Sequence, residues 1–149
     1  MAAPKGNEFW KLRSKHGKEA NFTDPQNLYE SACQYFQSCI DNPLYSTEFL
    51  GKDAEEKHIP KMVAFTWSGL CIFLHVNTKY FNDFRESELG KSKDFSEVIT
   101  CIGDIISTQK FTGAAAGLLN ANIIARDLGL ADKQDVTNKT ITVTIQDED

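Results

Sequence analysis

The chain lacks the short signatures that mark most enzymes. No GxxxxGKS or GxxxxGKT phosphate loop occurs, and Gly6, Gly51 and Gly113 are not followed by a lysine–serine pair. There is no GxSxG nucleophile elbow. No pair of carboxylates sits at a spacing that demands acid–base work, and Asp53, Glu55 and Glu56 read as the solvated tip of a turn. Nucleotide hydrolysis by this chain alone is therefore not expected: no catalytic residue, no cofactor. Histidine is scarce and scattered (His16, His58, His75), and no His/Cys spacing suggests zinc, so no metal is expected. The four cysteines, Cys33, Cys39, Cys71 and Cys101, form no CxxC pair. Lying inside apolar patterns, they are expected as buried free thiols rather than as a disulfide or metal set. Long apolar runs are missing too. Nothing could cross a membrane, and the opening MAAPKGNEFWKLRSKHGKE does not resemble a signal peptide. The expectation is a soluble, cytoplasmic protein with no membrane partner. There is no internal repeat and no low-complexity segment.

Positive charge is also in short supply. The formal net charge is −5, which argues against a protein that wraps nucleic acid over its whole surface. The charge is uneven, however. Residues 1–20 hold Lys5, Lys11, Arg13, Lys15 and Lys18 against Glu8 and Glu19, whereas residues 131–149 hold two lysines against five acids. The front is basic and the tail acidic. The basic arm is either a solvated terminus or a contact for a polyanion.

What is present is enough for one domain. The chain has 149 residues, 41% of them apolar. Three regions are expected: a basic arm at 1–22, a helical core at 23–135, and a strand with an acidic end at 136–149. The fold class is mainly α with a small β part. Asp24-Pro25 starts a helix, with a capping carboxylate and then proline in the first turn. Leu28, Ala32, Tyr35, Phe36, Cys39 and Ile40 follow at helical spacing, and Asn42-Pro43 ends it. Residues 44–63 alternate through Tyr45, Thr47 and Phe49, then turn through GKDAEEK, which predicts a β-hairpin with Pro60 at an edge. Residues 66–74 and 77–86 predict two short helices, and 87–93 a loop. Asp94 is expected to cap a fourth helix with Phe95, Val98, Ile102, Ile105 and Ile106 on one face. In the tail, Ile141, Val143 and Ile145 alternate with threonines, the pattern of a strand.

Residues 109–130, QKFTGAAAGLLNANIIARDLGL, are the most informative stretch. They predict one helix, closed by a C-terminal cap at Gly129. Between Gly113 and Ala125 the only polar side chains are Asn120 and Asn122. A helix that is apolar nearly all round must be enclosed, and a chain of this size encloses one with difficulty. A subunit interface carrying Leu118, Leu119, Ile123 and Ile124 is expected, joined by Ile141, Val143 and Ile145 of the tail.

Residues 66–86, TWSGLCIFLHVNTKYFNDFRE, fit a helix-turn-helix as well as a plain helical hairpin. In the former, Asn77, Thr78, Lys79 and Asn82 line the outer face of the second helix, with Arg85 at its end, where such side chains meet phosphates or base edges.

The opening APKGNEFW, the TWSGLCIFL segment and QKFTGAAAGLLNANIIARDLGL together resemble the small terminase subunit of tailed bacteriophages, in the DNA-packaging branch found in short-tailed phages of enteric bacteria. The resemblance runs from about Ala3 to Lys133. It implies a non-catalytic ring of identical subunits, with nine copies the best guess, in the host cytoplasm. The ring would hold viral double-stranded DNA and deliver it to the large terminase subunit, which carries the ATPase and nuclease. It further implies a helical core, a projecting β-hairpin and a C-terminal strand that joins its neighbours in a small barrel. Relatives tend to carry a basic tail after that strand, whereas this sequence ends in Gln146-Asp147-Glu148-Asp149. Either a basic continuation is missing from this sequence or DNA is held elsewhere. The candidates are then Lys11, Arg13, Lys15 and Lys18 of the arm and Lys79 and Arg85 of the second short helix. The competing readings are a helix-turn-helix regulator that binds DNA as a dimer, and a purely structural oligomer.

Overall fold

A computed structural model describes Phe22 and residues 24–130. The first helix, α1 (Pro25–Asp41), begins as its sequence dictates. Asp24 accepts a hydrogen bond from Gln26 N–H at 3.0 Å, and Pro25 occupies the first turn, where its missing N–H costs nothing. Leu28, Ala32, Tyr35 and Phe36 form the buried face. The helix ends where Asn42 donates twice to the Ser38 carbonyl, from its backbone and from its side chain, ahead of Pro43.

The strands β1 (Leu44–Leu50) and β2 (Glu55–Lys61) pair antiparallel, with Tyr45 opposite Pro60, Thr47 opposite His58 and Phe49 opposite Glu56. In a two-stranded ribbon each strand has an open edge, so Pro60 lies on an edge strand as expected. The side carrying Tyr45 and Phe49 faces outward, and Ser46 and Glu48 lie on the more covered side.

Two short helices follow, α2 (Trp67–Phe73) and α3 (Thr78–Glu86). Thr66 Oγ1 accepts from Gly69 N–H at 2.9 Å and Asn77 Oδ1 from Tyr80 N–H at 2.7 Å, so each helix has a side-chain cap. Between them His75 adopts φ 60°. Val76 N–H reaches back to the Cys71 carbonyl, the closing bond of a helix C-terminus.

The long helix α4 (Lys93–Ala115) supplies Phe95, Ile99, Ile102 and Ile106 to the core. Val98 and Ile105 pack against that core half-buried. Its start differs from expectation. Ser92, not Asp94, is the cap residue, and it makes no side-chain capping bond, because its hydroxyl donates back to the Leu89 carbonyl. Asp94 sits in the first turn, where its charge still complements the helix dipole.

Residues 109–130 are not one helix. α4 ends at Ala115, the chain turns through Gly117 at φ 73°, and α5 (Ala121–Asp127) begins afresh. Glycine enters the left-handed region without steric cost, and here it does so inside a run that otherwise reads as helix. Leu118 and Leu119 N–H both donate to the Gly113 carbonyl, and Asn120 caps α5 by accepting from Ile123 N–H at 3.1 Å. The expected C-terminal cap is present: Gly129 has φ 70°, and Leu130 N–H reaches the Ala125 carbonyl.

The core lies among α1, α2, α3 and α4 and is dominated by aromatic rings. Phe36 stacks on Phe65 at 4.5 Å, and Phe84 meets Phe95 edge-on at 5.2 Å. Two of the cysteines depart from expectation. Cys71 is buried and Cys39 half-buried, but Cys33 and Cys101 are exposed. Each lies one position off the apolar stripe of its helix, next to buried Ala32 and Ile102 respectively.

Candidate functional site

The α3 face proposed for DNA contact is largely spent on the protein itself. Asn77 is consumed as a helix cap. Lys79 Nζ lies 2.8 Å from the Asp83 carboxylate one turn on, and this hydrogen bond raises the pKa of the Lys79 ammonium above its usual value. Arg85 stacks 5.5 Å above the Trp67 ring, a cation–π contact that fastens α3 to α2. The neighbouring Glu86 pairs with Lys91 at 3.2 Å. The helical hairpin is present, but its two cations are engaged, Lys79 by an anion and Arg85 by an aromatic ring.

The same balance holds beyond α3. Among the described residues nine lysines and arginines stand against fourteen aspartates and glutamates. Five of those cations are in ion pairs: Lys61–Glu48, Lys79–Asp83, Lys91–Glu86, Lys93–Glu97 and Lys110–Asp127. Asp24, Asp94 and Glu97 gather beside Tyr29 in a shallow depression where α1 and α4 begin. Among the described residues no cluster of His, Cys, Asp and Glu could hold a metal. Lys11, Arg13, Lys15 and Lys18 lie outside the described residues, as do Ile141, Val143 and Ile145.

The apolar candidates of 109–130 are divided by the break before α5. Ile124 is buried against its own chain, at 6% exposure. Leu119 folds back on Gly113 so closely that a Cβ there would stand 2.7 Å from its Cδ1. Leu118 and Ile123 point outward, 63% and 64% exposed, and are joined by Phe111 and Leu130. Leu119, Ile123 and Ile124 line an apolar groove of about 770 Å³ together with Tyr35, Cys39, Leu44, Met62 and Ile72.

The family model of the DNA-packaging protein gp3 matches residues 17–136. The chain belongs to that family. The terminase small subunit of Salmonella phage P22 is 44% identical over 142 residues, covering 94% of this chain and 85% of that protein. The family expected from the opening and 109–130 motifs is therefore the family found, and the chain is a phage DNA-packaging protein. The family match spans every described helix and the hairpin, while residues 1–16 and 137–149 lie outside it.

Two ties that hold this core together carry no motif in the sequence. Gln109 of α4 donates from its amide to the Val63 carbonyl and accepts from Phe65 N–H, both at 3.0 Å, clamping the extended segment between hairpin and α2. Lys110, buried on the next position, is paired with Asp127 at the end of α5. Both partners are distant in sequence, so only the fold brings them together. No described helix is long and apolar enough to cross a membrane.

Proposed function

We propose that this chain is a ring-forming, non-catalytic adaptor of viral genome packaging, acting in the cytoplasm of the infected host. Copies of it hold viral double-stranded DNA and present it to the large terminase subunit, which supplies ATPase and nuclease. The observation that carries the reading is the likeness to a terminase small subunit along 94% of the chain. It is supported by the outward-facing Phe111, Leu118, Ile123 and Leu130, an apolar surface that water disfavours and neighbouring copies would cover. Nine copies remain the expected number. The tail strand at 140–145 pairs with the same strand of neighbouring copies, since a lone strand cannot satisfy its own backbone donors and acceptors.

DNA contact falls to the arm. Lys79 and Arg85 are already engaged, whereas Lys11, Arg13, Lys15 and Lys18 form the densest run of cations in the chain. The engagement of Lys79 and Arg85 also counts against the alternative of a dimeric helix-turn-helix regulator reading bases with α3. The contact is with the phosphate backbone and salt-dependent, with a slope of log affinity against log salt of about 0.9 per phosphate neutralised. Charge reversal at Lys11, Arg13 and Lys15 should weaken binding to duplex DNA and flatten that slope, and charge reversal at Lys79 and Arg85 should leave both near wild type. The opposite pattern, measured by fluorescence anisotropy over a salt series, would return the contact to α3.

A further inference from the structure

Two of the four thiols are open to solvent, and the fold brings them to one seam. Cys33 of α1 and Cys101 of α4 are exposed, whereas Cys71 is buried and Cys39 half-buried. α1 and α4 pack on each other. They run in the same direction. At their starts, Phe22, just ahead of α1, and Phe95, in the first turn of α4, both meet the Phe84 ring, at 5.0 and 5.2 Å. Farther along, Phe36 of α1 stacks on Phe65, and Gln109 of α4 accepts from Phe65 N–H. Cys33 lies eight residues beyond Pro25, the first residue of α1, and Cys101 eight residues beyond Lys93, the first of α4. At a rise of about 1.5 Å per residue, both stand roughly 12 Å along their helices, at one level.

Tyr29 joins the two flanks. It lines the depression where the helices begin, together with Val98 and Cys101 of α4. Cys33 is one turn further along α1, on the same face. The Tyr29 hydroxyl donates to the Cys33 sulfur, which raises the pKa of the phenol, and the charges of Cys33 and Cys101 add to that rise. One side chain is thus in reach of a thiol on each helix. Helices packed about 8–10 Å apart bring facing Cα atoms of their seam within the span of a disulfide. The other two thiols are poor competitors. Burial pushes the Cys71 thiol up to about 11 and raises Cys39 as well, which keeps both protonated and unreactive.

We propose that Cys33 and Cys101 are a redox pair, which a small-molecule disulfide converts into a reversible cross-link between α1 and α4. One protein thiolate attacks the oxidant's disulfide and releases one thiol. The second protein thiolate attacks the resulting mixed disulfide and releases the other. Two protein S–H bonds are lost and one S–S bond forms within the chain. The oxidant's S–S bond is reduced to two thiols, which take up the two protons. A reducing cytoplasm keeps the pair open. The proposal stands independently of the ring reading.

The test treats the full chain with oxidised glutathione under native conditions. The expected product has lost two hydrogens by intact mass, carries no adduct, and yields a digest in which the Cys33 and Cys101 peptides are joined. A phosphine should reverse it. Cys39→Ser should form the same link, whereas Cys33→Ser should leave Cys101 as a glutathione adduct, and Cys101→Ser the converse. Phenylarsine oxide, which bridges two close thiols, should be retained at one per chain by wild type and washed out of either single variant. Stable glutathione adducts on both cysteines overturn the proposal. So do thiols that stay free, a link to Cys39, or a dimer band on a non-reducing gel, which would place the bond between copies.

Discussion

His75 occupies the turn between α2 and α3 at φ 60°, and its buried Nδ1 has no hydrogen-bond partner among the described residues. A left-handed backbone costs a residue with a Cβ about 1–2 kcal/mol, and glycine is spared that cost. His75→Gly should raise stability by about 1 kcal/mol, read as a higher urea midpoint at constant slope. Tyr35 is the opposite case, a side chain that its surroundings need. Its hydroxyl accepts from Thr66 N–H at the start of α2, and burial pushes its pKa up to about 12. Between pH 10 and 12 the unfolded chain gives up that proton and the native chain keeps it. The stability it contributes is therefore fully present below pH 10 and is lost as pH rises toward 12. Cys71, raised to about 11 by burial, adds the same sign from pH 9 upward. Tyr35→Phe should cost about 1 kcal/mol at neutral pH and flatten the fall of Tm above pH 10, leaving a smaller fall from Cys71 and from Cys39, whose thiol pKa burial also raises. An alkaline fall as steep as wild type would mean that Tyr35 is not held neutral by the fold.

Local signals wrote most of the elements. Asp24-Pro25 and Asn42-Pro43 act through backbone groups within four residues, so both ends of α1 were legible in the sequence, whereas Asn77, read as part of the outer face of α3, is its cap. The break between α4 and α5 was not legible, because alanine, leucine and glycine at 113–119 satisfy a helical pattern. What stops the helix is Gly117 turning left-handed and Asn120 capping the next segment, and neither residue type demands it. The cysteines show the same limit at finer scale, since a shift of one position on a helix moves a thiol from core to solvent. The 109–130 stretch was legible as a family motif, but its division into buried Ile124 and outward Ile123 was not. Gln109 and Lys110 were invisible because their partners are set only by the fold. The Lys110–Asp127 pair ties α5 to α4 with the lysine buried and the carboxylate half-exposed. Asp127→Ala strands a buried ammonium and should destabilise by about 2–4 kcal/mol, whereas Lys110→Met should be near neutral, since removing a buried charge with similar volume costs little. Thermal unfolding of the two variants checks the order. If Lys110→Met proves the worse, the pair stabilises α5 for a reason other than compensation of a buried charge.

At the scale of the whole molecule, the described core is short of free cations and rich in outward apolar side chains. That combination fits the proposed reading of a subunit that meets its own kind through outward apolar helix positions and meets DNA through its basic N-terminal residues. Leu118→Asp with Ile123→Asp, both outward, should dissociate the particle with little change in helix content. Ile124→Asp should instead unfold the α5 region, because it places a charge inside the chain. The most direct test of the central claim is the native mass of the wild-type chain. At micromolar concentration a single closed species many times the 16.7 kDa subunit is expected, about 150 kDa for nine copies. A monodisperse monomer or dimer would contradict it.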